Sequence, residues 1–156
     1  MQDVLKKTKL FAELPDADLA EIAGFCRQFT VMKGEKALTE DQGGSGDLFL
    51  LLRGGVDVGK KFTAAESAQT MKITSVGDEL FGEIAWFTGS KRSAGLTCTH
   101  DSRFLVVNGQ KLRAYLEQHP AVGVTVLWRV GEVLSRRLVQ RTEDLKNQKL
   151  FADMQF

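Results

Sequence analysis

The sequence predicts a mainly β chain with flanking helices, an α+β fold built around a double-sheet β-jelly roll. From Gln28 to Val107, short apolar runs are separated by glycines, the pattern of consecutive strands and turns. On both sides of this region, apolar residues recur every three or four positions, as in amphipathic helices. We therefore expect one domain over residues 1–156, with N-terminal helices in 1–27, the roll in 28–107 and C-terminal helices in 108–150.

Helix signals fix where the flanking helices begin and end. The stripe before the roll consists of Leu19, Ile22, Ala23 and Cys26. After the roll, Asn108 is the expected N-cap of a helix that ends before Pro120. Pro120 suits the first position of the next helix. No breaker stronger than Gly131 follows it, so this C-terminal helix is predicted to be long.

Composition narrows the classes of function. With 21 Lys and Arg against 20 Asp and Glu, the net charge is +1, which favours neither bulk nucleic-acid binding nor an anionic membrane surface. No apolar run approaches the roughly 18 residues of a membrane span, and the N-terminus lacks the apolar core of a signal peptide. Cys26 and Cys98 stand far apart and are expected to be reduced. We expect a soluble, cytoplasmic protein without membrane association.

Motifs of the common enzyme classes are missing from the sequence. It contains no zinc-protease HExxH, no nucleophile elbow and no P-loop. His100 falls in a predicted turn and His119 precedes a proline, so both are interpreted as structural or solvated. The sequence predicts no catalytic residues, no metal site and no prosthetic group.

The segment 81–94, FGEIAWFTGSKRSA, combines residue types that suit a ligand cradle. Gly82 permits close backbone approach and opens a short helix, whose start favours an anion. Glu83 is an acceptor for a hydroxyl, and Arg92 presents a planar fork to phosphate oxygens. Ser93 and Ala94 are small and leave room beside that fork. Together they suit a hydroxyl next to a phosphate, as in a 3′,5′-cyclic nucleotide.

The same residues also permit an interpretation without a ligand. Gly82 would then mark a turn, Glu83 a charge at a helix start, and Arg92 a solvated surface residue. Trp86 and Phe87 are assigned to the core under either interpretation. Spacing alone leaves both open.

The segment resembles the phosphate-binding cassette of the cyclic nucleotide-binding domain family, whose form is F-G-E-[LI]-A, a spacer, then R-[AST]-A. The matching residues are Phe81, Gly82, Glu83, Ile84, Ala85, Arg92, Ser93 and Ala94. The resemblance covers nearly the whole chain, from LFAELPDADLAEIA to RRLVQRTEDL, which is similar to the C-helix of bacterial catabolite activator proteins. Two departures are Lys91, where many members have proline, and GDELFGE, one residue longer than G-D-x-F-G-E.

The resemblance implies a role for each matching residue. Glu83 would hold the ribose 2′-hydroxyl, Arg92 would neutralise the phosphate, and Ala94 would bring its backbone N–H near it. Gly82 and Ser93 would contact sugar or phosphate. Ser93 also occurs in cyclic-AMP-responsive members, so cyclic AMP is the favoured ligand, with cyclic GMP as the alternative.

The C-terminal helix is predicted to cover the base. Aligning RRL at residues 136–138 with the same triplet in the activator proteins sets Arg141 and Thr142 against the adenine. A seven-residue recurrence along this helix also predicts a homodimer through it. Under the other interpretation, Leu127, Val130, Leu134 and Leu138 pack on the chain's own roll. Whether the lid over the base belongs to the same chain or a second one stays open.

The expected function is that of a cyclic-nucleotide sensor. Ligand binding would move the cassette and the C-terminal helix, and an effector protein of unknown identity would respond. No DNA binding is expected of this chain alone, because the dozen or so residues after Leu145 are fewer than a helix-turn-helix needs. Two alternatives are a regulatory piece of a larger channel, kinase or transcription factor, and a ligand-free interaction module on the same fold.

Overall fold

The computed structural model describes residues 1–38, 46–59, 70–75, 79–91 and 95–154. The helices in these ranges are α1 (Gln2–Leu5), α2 (Asp16–Ala23), α3 (Glu83–Thr88), α4 (Gly109–Gln118) and α5 (Pro120–Met154). The strands are β1 (Cys26–Val31), β2 (Lys36–Leu38), β3 (Leu48–Gly59), β4 (Thr70–Ser75), β5 (Glu79–Phe81), β6 (Gly95–Cys98) and β7 (Ser102–Val107).

Strand β3 is the centre of the sheet. The strand order is β1-β7-β3-β6-β2, and β4 and β5 also pair with β3. Its first half pairs with β5 and β7, and its second half pairs with β4 and β6, all antiparallel. A register shift between Leu51 and Arg53 in the β3–β7 pairing lies where the strand passes from one set of partners to the other. One strand therefore belongs to both halves of a curled roll, and the predicted fold class is confirmed.

The apolar run LFLLL in β3 is buried on both faces. Leu48 and Leu50 pack against the helices, whereas Phe49 and Leu51 lie inside the roll. Successive strand side chains point to opposite faces, so a continuous apolar run is expected where both faces are covered. The outer face of β3 is the surface on which the helices α2, α4 and α5 assemble.

The helices begin close to where the sequence predicts. Leu19 and Ile22 of α2 are fully buried, and Cys26 becomes the first residue of β1. The Asn108 side chain caps α4 by accepting a hydrogen bond from the Lys111 backbone N–H at 2.9 Å, and α5 begins at Pro120.

Helix α5 has a docked half and an exposed half. Val122, Val126 and Val130 are buried at successive turns, which fits one apolar stripe packed on the roll. Leu134 is partly buried against the same core. Leu127 and Leu138 are 45% and 69% exposed. Of the four residues expected to pack on the roll, only Val130 and, in part, Leu134 do so.

Within the described part of the chain, no helix combines the length and the apolar character that crossing a bilayer requires.

Candidate functional site

The junction between β5 and α3 depends on a glycine. Gly82 has φ +87° and stands at the N-cap of α3, a conformation that side-chain-bearing residues rarely adopt. A Cβ at this position would also lie 2.5 Å from the Asp47 carbonyl oxygen. The chain can therefore turn sharply out of β5 only with glycine here, and this turn sets the position of Glu83 at the first residue of α3.

Glu83 is a buried carboxylate with one partner from a distant element. Its side chain is 7% exposed, and its Oε1 accepts a hydrogen bond from Nη1 of Arg137 at 2.8 Å. Arg137 lies on α5, where the docked half of that helix ends. A charge-assisted contact of this length compensates for the removal of the carboxylate from water. The first residue of α3 is thereby connected directly to α5.

Arg137 is bound by several groups of β5 as well. Its Nη2 donates to the Leu80 carbonyl oxygen and lies 3.5 Å from Oε2 of Glu79. Its guanidinium carbon lies 5.3 Å from the centroid of the Phe81 ring, within the range of a cation–π contact. The Arg137 side chain is 20% exposed, and the groups that contact its guanidinium belong to β5 and to the first residue of α3.

Trp86 ties α3 to the start of α4. Its Nε1–H donates to the Gly109 carbonyl oxygen at 2.9 Å, and the Gly109 N–H donates to Oδ1 of Asp47 at 3.2 Å. A Cβ on Gly109 would lie 1.9 Å from the Gly46 carbonyl oxygen. Residues 46–47, α3 and α4 thus meet in close backbone contact.

Helix α3 has one buried face and one exposed face. Glu83, Ala85 and Trp86 are buried, whereas Ile84 and Phe87 are exposed. The assignment of Trp86 to the core is confirmed, and that of Phe87 is wrong, since its side chain is 48% exposed. In a helix, residues three apart share a face, so burying Glu83 and Trp86 turns Ile84 and Phe87 outward.

The predicted site residues fall into three groups. Phe81 and Glu83 contact Arg137, and Gly82 lies between them in the chain. Ala85 is on the buried face of α3, and Ile84 is on its exposed face. Arg92, Ser93 and Ala94 lie outside the described residues. Arg141 and Thr142 are exposed on α5, and the Thr142 hydroxyl donates to the Leu138 carbonyl oxygen of its own helix at 2.9 Å.

Two residues of this site, Arg137 and Glu79, were not predicted. Arg137 belongs to the RRL triplet that was used to align Arg141 with the base, and it lies one helical turn before Arg141. This position on the same helix is the signal in the sequence that points to Arg137. Glu79 is part of the extended GDELFGE segment. The contact itself was not predictable, because Arg137 and Glu83 are 54 residues apart and a contact at this separation produces no periodic pattern in the sequence.

An apolar groove extends from α3 to α5. It has a volume of about 390 Å³ and is lined by Phe87, Leu116, Pro120, Val124 and Leu127, among others. The exposed face of the cassette helix and the exposed face of α5 therefore border one continuous surface.

A family comparison agrees with this architecture. Residues 28–119 match the model of the cyclic nucleotide-binding domain. The chain belongs to the cyclic nucleotide-binding domain family. The match begins within β1 and contains β2 to β7 together with α3 and α4, and thus the whole β5–α3 junction and its contacts with Gly109.

Similar proteins carry related domains. The chain is 22% identical over 155 residues to a CRP-like cAMP-activated global transcriptional regulator of Mycobacterium tuberculosis. This alignment covers 99% of the chain and 65% of that regulator, so the chain spans about two thirds of the length of the curated relatives it matches.

Solved structures share the fold. A cyclic nucleotide-binding domain from Methylobacillus flagellatus superposes with a TM-score of 0.77 at 24% identity, over 94% of this chain and 81% of that one. The regulatory domain of Toxoplasma gondii PKA, solved with cAMP, superposes with a TM-score of 0.61 at 19% identity, over 73% of this chain and 42% of that one.

Proposed function

We propose that the protein is a sensor of a 3′,5′-cyclic mononucleotide, with cyclic AMP favoured, that signals through the attachment of α5 to the cassette. The observation that carries this proposal is the buried Glu83 carboxylate, 2.8 Å from Arg137 of α5. A carboxylate is an acceptor only, so it suits a ribose hydroxyl. The Mycobacterium tuberculosis regulator and the Toxoplasma gondii domain, both described with cAMP, support the choice of ligand class.

The rest of the ligand would be held by residues of the family pattern. Arg92 would neutralise the cyclic phosphate, Gly82 and Ser93 would contact sugar or phosphate, and Ala94 would offer its backbone N–H. Phe81, Ile84 and Ala85 complete the segment that shapes the cradle. Ser93 after the cassette arginine favours adenine in this scheme, with cyclic GMP as the alternative.

The signalling step follows from the shared use of Glu83. A ligand hydroxyl that donates to Glu83 shares this carboxylate with Arg137, so ligand occupancy and the position of α5 become linked. Arg141 is one turn beyond Arg137, about 6 Å further along the helix axis. Arg141 and Thr142 would contact the base, and this contact would bring the distal half of α5 over the ligand.

The surface that changes would be recognised by another protein. The groove between α3 and α5 borders both elements that take part in ligand binding, and a partner in this groove would contact both. The balanced charge of the chain supports a protein partner over DNA. The exposed apolar face of α5 also supports a homodimer, in which the lid over the base would come from either chain.

A second candidate is the regulatory part of a longer transcriptional regulator. The similarity to the Mycobacterium tuberculosis regulator along 155 residues, together with the 65% coverage of that protein, favours it over a channel or kinase context. The ligand site and the link through α5 would be the same in both cases, and the output would pass to the attached part.

Ligand titration of three variants tests the site. Arg92→Ala leaves the phosphate without its cationic partner, at a cost of about 1.5–3 kcal/mol, so cyclic AMP affinity should fall at least about tenfold. Glu83→Ala should weaken binding of the hydroxyl-bearing ligand, and Arg141→Ala should weaken it less than Arg92→Ala. Circular dichroism verifies the fold of each variant. Unchanged affinity in both Arg92→Ala and Glu83→Ala would rule this site out.

A further inference from the structure

We propose that Glu79 is a positioning residue that prevents Arg137 from occupying both oxygens of Glu83, and so reserves one oxygen for the ligand hydroxyl. This inference rests on the proposed function of Glu83 as the hydroxyl acceptor, and it adds a determinant of specificity for the ribose hydroxyl on β5, outside the residues of the cassette pattern.

The contact between Arg137 and Glu83 departs from the arrangement that these two groups favour. A guanidinium and a carboxylate frequently form two parallel hydrogen bonds, the geometry that their shapes favour. Arg137 instead gives Glu83 only Nη1, at 2.8 Å from Oε1, and directs Nη2 to the Leu80 carbonyl oxygen and toward Glu79. Among the residues that the structure describes, none donates to Oε2 of Glu83. As far as the described residues go, one oxygen of the acid is therefore left for another donor.

The orientation of the guanidinium is imposed on it by β5. The Nε of Arg137 is buried and has no partner among the described residues, which is an unfavourable state for a donor. If the guanidinium rotated in its own plane, a second N–H group of Arg137 could donate to the other carboxylate oxygen of Glu83. The contacts that oppose this rotation are the Leu80 carbonyl, the Glu79 carboxylate and the Phe81 ring beneath the guanidinium.

Strand geometry explains why Glu79 can do this. Glu79 and Phe81 are two residues apart on β5, which is paired with Leu51 to Phe49 of β3, so their side chains lie on the same face. A guanidinium over the Phe81 ring is flanked by Glu79 on one side and Glu83 on the other. Glu79 belongs to the segment that is one residue longer than the family pattern, GDELFGE.

Removal of the Glu79 carboxylate should leave Nη2 of Arg137 with the Leu80 carbonyl oxygen as its one described acceptor, and so weaken the hold of β5 on the guanidinium. The Glu79 side chain is 34% exposed, and its Oε2 lies 3.5 Å from Nη2 of Arg137. We therefore expect Glu79 to affect the orientation of Arg137 more than the stability of the fold. With the pull of Glu79 on Nη2 removed, the guanidinium would turn toward the second oxygen of Glu83, against the single remaining hydrogen bond to Leu80. A ligand hydroxyl would then have to displace an N–H donor, and the protein would lose discrimination between ligands with and without this hydroxyl.

The test compares cyclic AMP with 2′-deoxy cyclic AMP by calorimetric titration of the full chain. In the wild-type protein the hydroxyl should improve affinity at least about tenfold, the value of one hydrogen bond to a charged acceptor. Glu79→Met should reduce this ratio about threefold or more. The ratio cancels the general effect of removing a negative charge near an anionic ligand, because both ligands carry the same phosphate. Glu117→Met, which removes a carboxylate paired with Arg113 on α4, is the matched control and should leave the ratio unchanged.

A second background tests whether Glu79 acts through Arg137. In Arg137→Met, the further change Glu79→Met should have no effect on the ratio, whereas a general structural role of Glu79 would change it in both backgrounds. If the single variant Glu79→Met has the same ratio of the two affinities as the wild-type protein, the inference is overturned and the proposed function stays intact. A wild-type protein that binds both ligands equally, or neither, overturns the proposed role of Glu83 and this inference with it.

Discussion

Glu83 carries its charge at a position where almost none of its side chain reaches solvent, and Arg137 is the group that makes this favourable. A buried charge without a partner is unfavourable. Loss of one member of a buried ion pair therefore destabilises the protein, because the other charge stays buried and unpaired. The pair also joins residues of two different helices, α3 and α5. A single ionic contact therefore contributes both to stability and to the proposed signal.

The contribution of this pair to stability is testable with adjacent arginines. Arg137→Met should lower the free energy of unfolding by about 1–3 kcal/mol, because Glu83 loses its described partner. Arg136→Met is the control, since Arg136 is exposed, and it should change stability by about 0.5 kcal/mol or less. Urea denaturation of both variants gives the values. Equal effects of the two substitutions would contradict a special role for Arg137.

For single residues, the sequence predicted the local role of a residue better than the residues it contacts in the fold. Gly82 was predicted correctly as the residue at the start of a short helix, because only glycine tolerates its backbone conformation. Arg137 was missed because its partners are 54 to 58 residues away. Phe87 was assigned wrongly, because a six-residue helix with one buried face leaves some of its apolar residues outside.

Helix α3 is fixed to the rest of the protein at both ends by different kinds of contact. At its start, Glu83 is paired with α5, and near its end Trp86 is hydrogen-bonded to the first residue of α4. Displacement of α3 by a ligand would therefore be transmitted to two other helices. The close approach at Gly109 makes the second contact sensitive to added volume.

Two glycine-to-alanine substitutions separate close packing from helix propensity. Gly109→Ala should destabilise the protein by about 1–3 kcal/mol, since a Cβ there would lie 1.9 Å from the Gly46 carbonyl oxygen. Gly131→Ala in α5 meets open space within one chain. In the Leu138→Glu background, which should be monomeric, it should stabilise the chain by about 0.5–1 kcal/mol. Thermal unfolding of the two variants measures both changes. A neutral Gly109→Ala would mean that α4 and residues 46–47 are not in close contact.

The elements themselves were largely predictable. Glycines between apolar runs marked the strands, Asn108 marked the start of α4, and Pro120 marked the start of α5. The division of α5 into a docked and an exposed half was not predictable. Apolar residues continue past Leu134 with the same spacing, and only the extent of the roll decides which of them have something to pack on.

At the scale of the whole molecule, the exposed apolar face of α5 is the candidate surface for assembly with another chain. Val124, Leu127, Trp128 and Leu138 are exposed apolar side chains along one side of the helix, and an exposed apolar patch of this kind is typical of an interaction site. Gly131 lies between them. A second copy of the same helix would cover this face.

Sedimentation of neighbouring variants tests the homodimer. Wild-type protein should sediment as a dimer, and Leu138→Glu should shift it to a monomer, because the charge would be buried in the interface. Gln140→Glu is the control, since Gln140 is also exposed but lies about 160° around the helix from Leu138. A wild-type protein that stays monomeric with and without ligand would remove the dimer, and the lid over the base would then come from the same chain.

The most direct measurement is a calorimetric titration of the wild-type chain with cyclic AMP, cyclic GMP and 5′-AMP. 5′-AMP shares the base and sugar of cyclic AMP but has an additional free hydroxyl and an open, more highly charged phosphate, which a site shaped for a cyclic phosphodiester should reject. We predict saturable binding of cyclic AMP, weaker binding of cyclic GMP, and affinity for 5′-AMP at least about tenfold below that for cyclic AMP. Absence of saturable binding by either cyclic nucleotide, or equal affinity for 5′-AMP, would contradict the proposed function.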